Sequence, residues 1–247
     1  MRFPCGEGSL TTVYRSTALL LLIAGSLMSQ GPISTIPSWD GIRFVGTFGA
    51  PNTATYGQTI TIGPGSAVVS SFGFMMGCDP TQFELGHCTG TAAFRGEIYA
   101  WDGAKAKVPN LFESSVAATL TASNGFQLVT FNTGALTLPP GAYVIFATTS
   151  RDQVAASALD WGSLPGLAAY PAGRHVFMNN GADPSQWTTG AWGTEPFDLA
   201  FRVDMSPAPP PASTTIVPAA SPATLLLGFA GVIALGLLGL SRLRTAR

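Results

Sequence analysis

Phe197-Asp198-Leu199-Ala200-Phe201-Arg202-Val203-Asp204-Met205 reads as a β-strand with one buried face. Phe, Leu, Phe, Val and Met alternate with Asp, Ala, Arg and Asp, and successive side chains of a strand point to opposite sides of a sheet. Upstream, Phe94-Arg95-Gly96-Glu97-Ile98-Tyr99-Ala100-Trp101 alternates similarly and stops at Asp102-Gly103, a turn pair. Gln58 to Ile62, Val68 to Phe74, Phe126 to Phe131 and Tyr143 to Thr148 are further strands by composition. Pro139-Pro140-Gly141 interrupts the chain as a connection between neighbouring strands does. Only Gln153 to Leu159 suggests a helix, and no internal repeat is evident. Short strands with Gly, Pro and Asn between them predict an all-β fold, an antiparallel jelly-roll-like β-sandwich, over residues 30–206. About 175 residues suffice for one core and are few for two.

The 247-residue chain is 46% hydrophobic and only 10% charged, with net charge −1. The low charge excludes a coiled coil and a charged disordered protein. It also gives no electrostatic footprint for nucleic acid. Mean hydropathy is +0.31, and two apolar runs, one near each end, carry much of it. Without those ends, seven basic and 12 acidic residues remain between 30 and 206, a mildly acidic balance.

Near the N-terminus, Arg2 and Arg15 precede Ala18-Leu19-Leu20-Leu21-Leu22-Ile23-Ala24, followed by the small residues Gly25, Ser26 and Ser29. This is the pattern of a secretory signal peptide over residues 1–29, with signal peptidase as partner. At the other end, residues 207–222 form an uncharged Pro/Ala/Ser/Thr-rich linker that stays extended. The 223–247 stretch then reads as one transmembrane helix and a basic cytoplasmic stub. Thr224 to Leu240 carries no charge over 17 residues, about 26 Å as a helix. Arg242, Arg244 and Arg247 follow, which sets that end in the cytoplasm.

This tail resembles the PEP-CTERM sorting signals of Gram-negative bacteria, in which a Pro motif precedes a single helix and an Arg cluster. Pro222, Ala223 and Thr224 match the Pro-Ala-Thr part of the family's Val-Pro-Glu-Pro-Ala-Thr motif, while Ser221 stands where the family has Glu. The resemblance implies an inner-membrane-anchored precursor, recognition by an exosortase-type membrane protease, and passage to the cell surface or extracellular biofilm matrix. The segments Phe94 to Gly103 and Val176-Phe177-Met178-Asn179-Asn180-Gly181 also resemble exported bacterial β-sandwich domains that carry such tails. That class implies a surface location and no particular reaction.

Cys78 and Cys88 are the only cysteines outside the signal region. In an oxidising compartment they predict a disulfide. Cys78, His87 and Cys88 match no common zinc spacing, so no metal site is expected. The catalytic inventory is thin. His87 and His175 are the only histidines, and no nucleophile elbow, zinc-protease motif or phosphate loop is present. Glu97 and Asp102 are the one carboxylate pair that a glycosidase reading would use. No catalytic residue and no cofactor is expected, although Asp183 with Asn179, Asn180 and Gly181 offers oxygens to Ca²⁺.

The stretch from His175 to Trp192 is long, polar and rich in Gly and Asn, and Trp187 and Trp192 lie in it. Exposed indoles stack on sugar rings, beside Asp and Asn that bond hydroxyls, and loops at sandwich ends hold such groups rigidly. The candidate ligand-binding residues are therefore Trp101, Asp102, Asn179, Asn180, Asp183, Trp187 and Trp192, with Trp161 and Tyr170 as possible neighbours. The competing reading makes these aromatics core. The expected function is binding or organising extracellular polysaccharide. The alternatives are a purely structural envelope protein and a secreted hydrolase.

Overall fold

The computed structural model describes residues 30–209 except 80, 82–84, 86–87 and 153–154. The expected signal peptide, the sorting motif Ser221-Pro222-Ala223-Thr224, the membrane helix, Arg242, Arg244 and His87 lie outside the described residues. Among the described residues, no helix is long and apolar enough to cross a membrane.

Thirteen strands follow one another among the described residues: β1 (Ile33–Ser34), β2 (Phe44–Phe48), β3 (Thr55–Ile62), β4 (Ala67–Gly77), β5 (Thr91–Trp101), β6 (Ala106–Glu113), β7 (Ala118–Thr121), β8 (Gln127–Leu138), β9 (Gly141–Thr148), β10 (Leu159–Gly162), β11 (His175–Met178), β12 (Gly193–Glu195) and β13 (Phe201–Pro207). One four-residue helix, α1 (Gln186–Thr189), sits between β11 and β12. The strands form two antiparallel sheets. One has the order β1-β13-β4-β10-β2 with β8 also on β4, and the other β12-β11-β3-β9-β5-β6 with β7 also on β5. Their facing sides enclose the main core, where Phe48, Phe72, Phe74, Phe94, Trp161 and Phe201 are fully buried. Trp161 is thus a core residue. Its ring lies 4.6 Å from that of Phe74 and 5.0 Å from that of Phe48, the spacing of favourable aromatic pairs.

The all-β expectation and the Cys78–Cys88 disulfide are both present, the latter with a Cα–Cα distance of 6.2 Å. Three local expectations are corrected. First, the strand beginning at Phe197 starts only at Phe201. Asp198, expected on a solvent face, is fully buried and accepts hydrogen bonds from Gln58 Nε2 and the Tyr170 backbone N–H at 2.9 Å each. Satisfying that carboxylate takes the chain out of ladder geometry ahead of Phe201.

Second, Pro139-Pro140 connects β8 to β9, which belong to opposite sheets, so it is a crossing rather than a hairpin. Third, the helix expected around Gln153 to Leu159 is replaced, where described, by irregular chain leading into β10. Ser157 N–H donates to Ala50 O and Ala158 bridges Thr89, long-range pairing that outweighs a weak local preference.

Cross-sheet contact also fixes Gly96. A Cβ there would stand 2.3 Å from the Phe131 ring, so β5 passes beneath that ring only as glycine.

Candidate functional site

Alternation along β5 divides its side chains. Phe94 and Ile98 enter the main core, while Arg95, Glu97, Tyr99 and Trp101 point to the outer face of the second sheet. Alternation along β5 alone implies that Glu97 lies on a polar face. Instead the outer face carries a second apolar cluster of Tyr99, Ala106, Val144, Phe146, Val176, Met178, Trp187 and Trp192. The chain between β11 and β12, including α1, folds back over the sheet and supplies both indoles.

Trp187 and Trp192 are 1% and 6% exposed, so neither offers a face for sugar stacking, and their expected ligand role is corrected. Trp187 Nε1 donates to Thr55 Oγ1 at 3.1 Å and Trp192 Nε1 donates to Trp187 O at 2.9 Å. With their polar atoms satisfied, both rings pack on Phe146 at 5.2 Å. Asn180 is likewise structural. Its Oδ1 accepts from Thr55 Oγ1, and its Nδ2 donates to Ser150 Oγ and Asp183 O.

Asp183 is exposed, and its carboxylate is committed to the start of α1. It accepts from Ser185 N at 3.0 Å, Ser185 Oγ at 2.6 Å and Gln186 Nε2 at 3.2 Å, bonds that hold it below the usual carboxylate range. Asn179 is exposed beside it. The oxygens of Asp183 and Asn180 are thus both engaged by groups of the protein. Asp102 is exposed and closes its turn, accepting from Ala104 N and Lys105 N at 2.9 and 2.8 Å.

At one end of this outer face lies an ion cluster. Arg151 Nε stands 3.3 Å from Glu97 Oε1, and its Nη2 is 3.4 Å from Glu113 Oε2. Arg95 forks onto Asp152 at 2.7 and 2.9 Å, and the Arg151 guanidinium sits 5.2 Å from the Trp187 ring centroid. Glu97, expected on an exposed face, is fully buried. Burial first, and then the Glu113 charge beside it, pushes its carboxyl up to about 8. Glu97 and Asp102 are five residues apart on one extended strand, about 17 Å, well beyond the roughly 5–9.5 Å that glycoside hydrolysis needs. They are not brought together as a pair.

His175 points into the main core between Phe197 and Tyr56, each ring 5.0 Å away. Neither of its nitrogens finds a hydrogen-bond partner among the described residues, and burial pushes its pKa down to about 3.

At the other end of the face, beyond Trp192, an open cleft of about 420 Å³ remains. Its walls include Thr59 and Thr61 of β3, Trp101 of β5, Arg174 just before β11, Val176 of β11 and Thr194 of β12. Antiparallel pairing of β11 with β3 and with β12 assembles them, His175 lying opposite both Gln58 and Glu195. Trp101 is partly exposed and stands edge-on to Trp192 at 5.7 Å and 90°. Trp192 therefore holds the indole that forms the cleft wall. Tyr170 lies behind the cleft, its hydroxyl accepting from Thr61 N–H at 2.9 Å. Of the sequence candidates, only Trp101 lines this cleft. Arg174 and the three threonines were not anticipated.

The fold and cleft define an all-β, two-sheet protein with one disulfide and a half-covered outer sheet face. No family model matches the chain, and no curated protein matches it either. Among solved structures, it is similar to the cysteine protease and lectin-like domains of Cwp84, a surface layer associated protein of Clostridium difficile, at a TM-score of 0.37 and 12% identity. The match covers 64% of this chain and 33% of that one, so the chain spans about a third of that structure's length.

Proposed function

We propose that this chain is an exported protein with a jelly-roll-like sandwich, held at or released from the cell surface, that binds extracellular polysaccharide in the cleft beside Trp101. The observation that carries the reading is the partly exposed Trp101 indole, fixed by Trp192, lining a cleft of about 420 Å³ whose walls also carry Thr61, Arg174 and Thr194. An aromatic platform with convergent polar groups is what a sugar ring requires, because its C–H face stacks while its hydroxyls bond. Export rests on the signal-like N-terminus, and release on the PEP-CTERM-like tail with its exosortase-type partner.

The test is binding of the full-length chain to immobilised neutral and acidic polysaccharides, with Trp101→Ala and Trp39→Ala variants. Trp39, a half-buried indole whose Nε1 donates to Arg43 O, is the control outside the cleft lining. Saturable binding lost only in Trp101→Ala supports the reading. Absence of binding across the panel overturns it. The burial of Trp187 and Trp192 favours a second reading, a structural surface protein without a sugar ligand, and that reading gains from the same negative result.

A further inference from the structure

The charge of the cleft narrows what it accepts. Among the described residues, Arg174 is the only charged one along its walls, and no carboxylate lines it. Arg95, Arg151 and Arg202 each engage a carboxylate, whereas Arg174 meets none among the described residues.

Its backbone is nevertheless firmly placed. Arg174 N donates to Thr59 Oγ1 at 2.9 Å and Thr59 N donates to Arg174 O at 3.0 Å. Thr61 Oγ1 donates to Ala172 O at 3.0 Å. A Cβ on Gly173 would lie 1.9 Å from Thr59 O, so only glycine lets this turn lie against β3. The turn is therefore preorganised, with an exposed arginine on a wall of the cleft that the fixed Trp101 indole also lines. A guanidinium fork matches a carboxylate in plane and spacing, and a backbone held this firmly limits the ordering cost of that contact.

We infer that the cleft selects acidic polysaccharide, with Arg174 taking the carboxylate of a uronate residue while Trp101 stacks on its ring. This rests on the polysaccharide reading above and names its ligand class. The overall acidic balance between residues 30 and 206 opposes a polyanion at long range. At physiological salt that repulsion is screened beyond about 8 Å, so the local cation decides the contact.

The experiment compares polygalacturonate with its fully methyl-esterified form, the same backbone without the negative charge, by titration into the full-length chain at about 0.15 M salt. The wild type binds the acid form about fivefold more tightly, the upper end for one exposed ion pair. Arg174→Gln brings the two affinities together, and Arg174→Lys retains part of the preference. Far-UV circular dichroism confirms that both variants keep the fold. Equal affinity of the wild type for acid and ester overturns this inference and leaves polysaccharide binding standing. An acid preference that survives Arg174→Gln overturns it too. Binding of neither form, together with none across the wider panel, overturns both readings.

Discussion

Glu97 and His175 give the molecule opposite pH liabilities. Glu97 has its carboxyl raised from 4.5 to about 8, so the native state holds a proton that the unfolded chain has released. Its contribution is complete below about pH 4.5 and is lost as pH rises towards 8. His175 is lowered from 6.5 to about 3, so the unfolded chain takes up a proton that the core refuses. That contribution is complete above about pH 6.5 and is lost as pH falls towards 3. The two slopes oppose each other between about 4.5 and 6.5. Urea midpoints measured against pH should therefore decline between pH 6.5 and 8 in the wild type and stay flatter in Glu97→Gln. In His175→Phe, whose new ring suits the company of Tyr56, Phe177 and Phe197, the acid-side decline between pH 6.5 and 3 should shrink. Parallel profiles in wild type and variants would contradict the burial assigned to these groups. Trp187 belongs to the same scale. Truncation to Ala empties a fully buried site and removes the Trp187 Nε1 bond to Thr55 Oγ1, at a cost of about 3–5 kcal/mol, read as a lowered urea midpoint. Trp187→Phe should cost clearly less.

At the scale of elements, the strands from β3 to β5, β8 and β9 were legible because alternation or β-branched composition marks them without reference to distant chain. The outer face of the second sheet was not. In sequence, Arg95, Glu97, Tyr99 and Trp101 alternate as a solvent face should, and only the return of residues 179–192 over the sheet turns them inward. A Gly/Asn-rich stretch with two tryptophans resembles a binding loop and a strap equally, since both need aromatic anchors and tight turns. Deciding between them takes the positions of Phe146 and Thr55, which are remote in sequence. Asp198 failed for a related reason. Its partners Gln58 and Tyr170 are long-range, so period two alone misplaced it. Arg174, Thr59 and Thr194 carry no local signal, because strand pairing alone makes them neighbours. The disulfide was legible from cysteine count and compartment. Closing a loop of ten residues, it contributes on the order of 3 kcal/mol by restricting the unfolded chain. Cys78→Ala paired with Cys88→Ala should lower the urea midpoint accordingly while leaving far-UV circular dichroism unchanged. An unchanged midpoint would place the stability of this region in packing alone.

For the whole molecule, the proposed function adds an expected export signal and a PEP-CTERM-like tail to a two-sheet fold with a cleft at one end of a half-covered face. The tail's prediction is made on the mature chain. In a producing cell with an exosortase, mass spectrometry should find the residues after Thr224 removed, and in an exosortase-deficient strain it should find them retained. Identical processing in both would remove the sorting assignment and leave a membrane anchor. The central claim concerns the cleft, and its most direct test is acrylamide quenching of tryptophan fluorescence with and without saturating polysaccharide. Trp187 and Trp192 are packed inside and Trp161 is in the core, so the accessible signal comes from Trp101 and Trp39. The account predicts that polysaccharide lowers quenching in the wild type and in Trp39→Phe, and leaves it unchanged in Trp101→Phe. Equal quenching of Trp39→Phe with and without polysaccharide would contradict it.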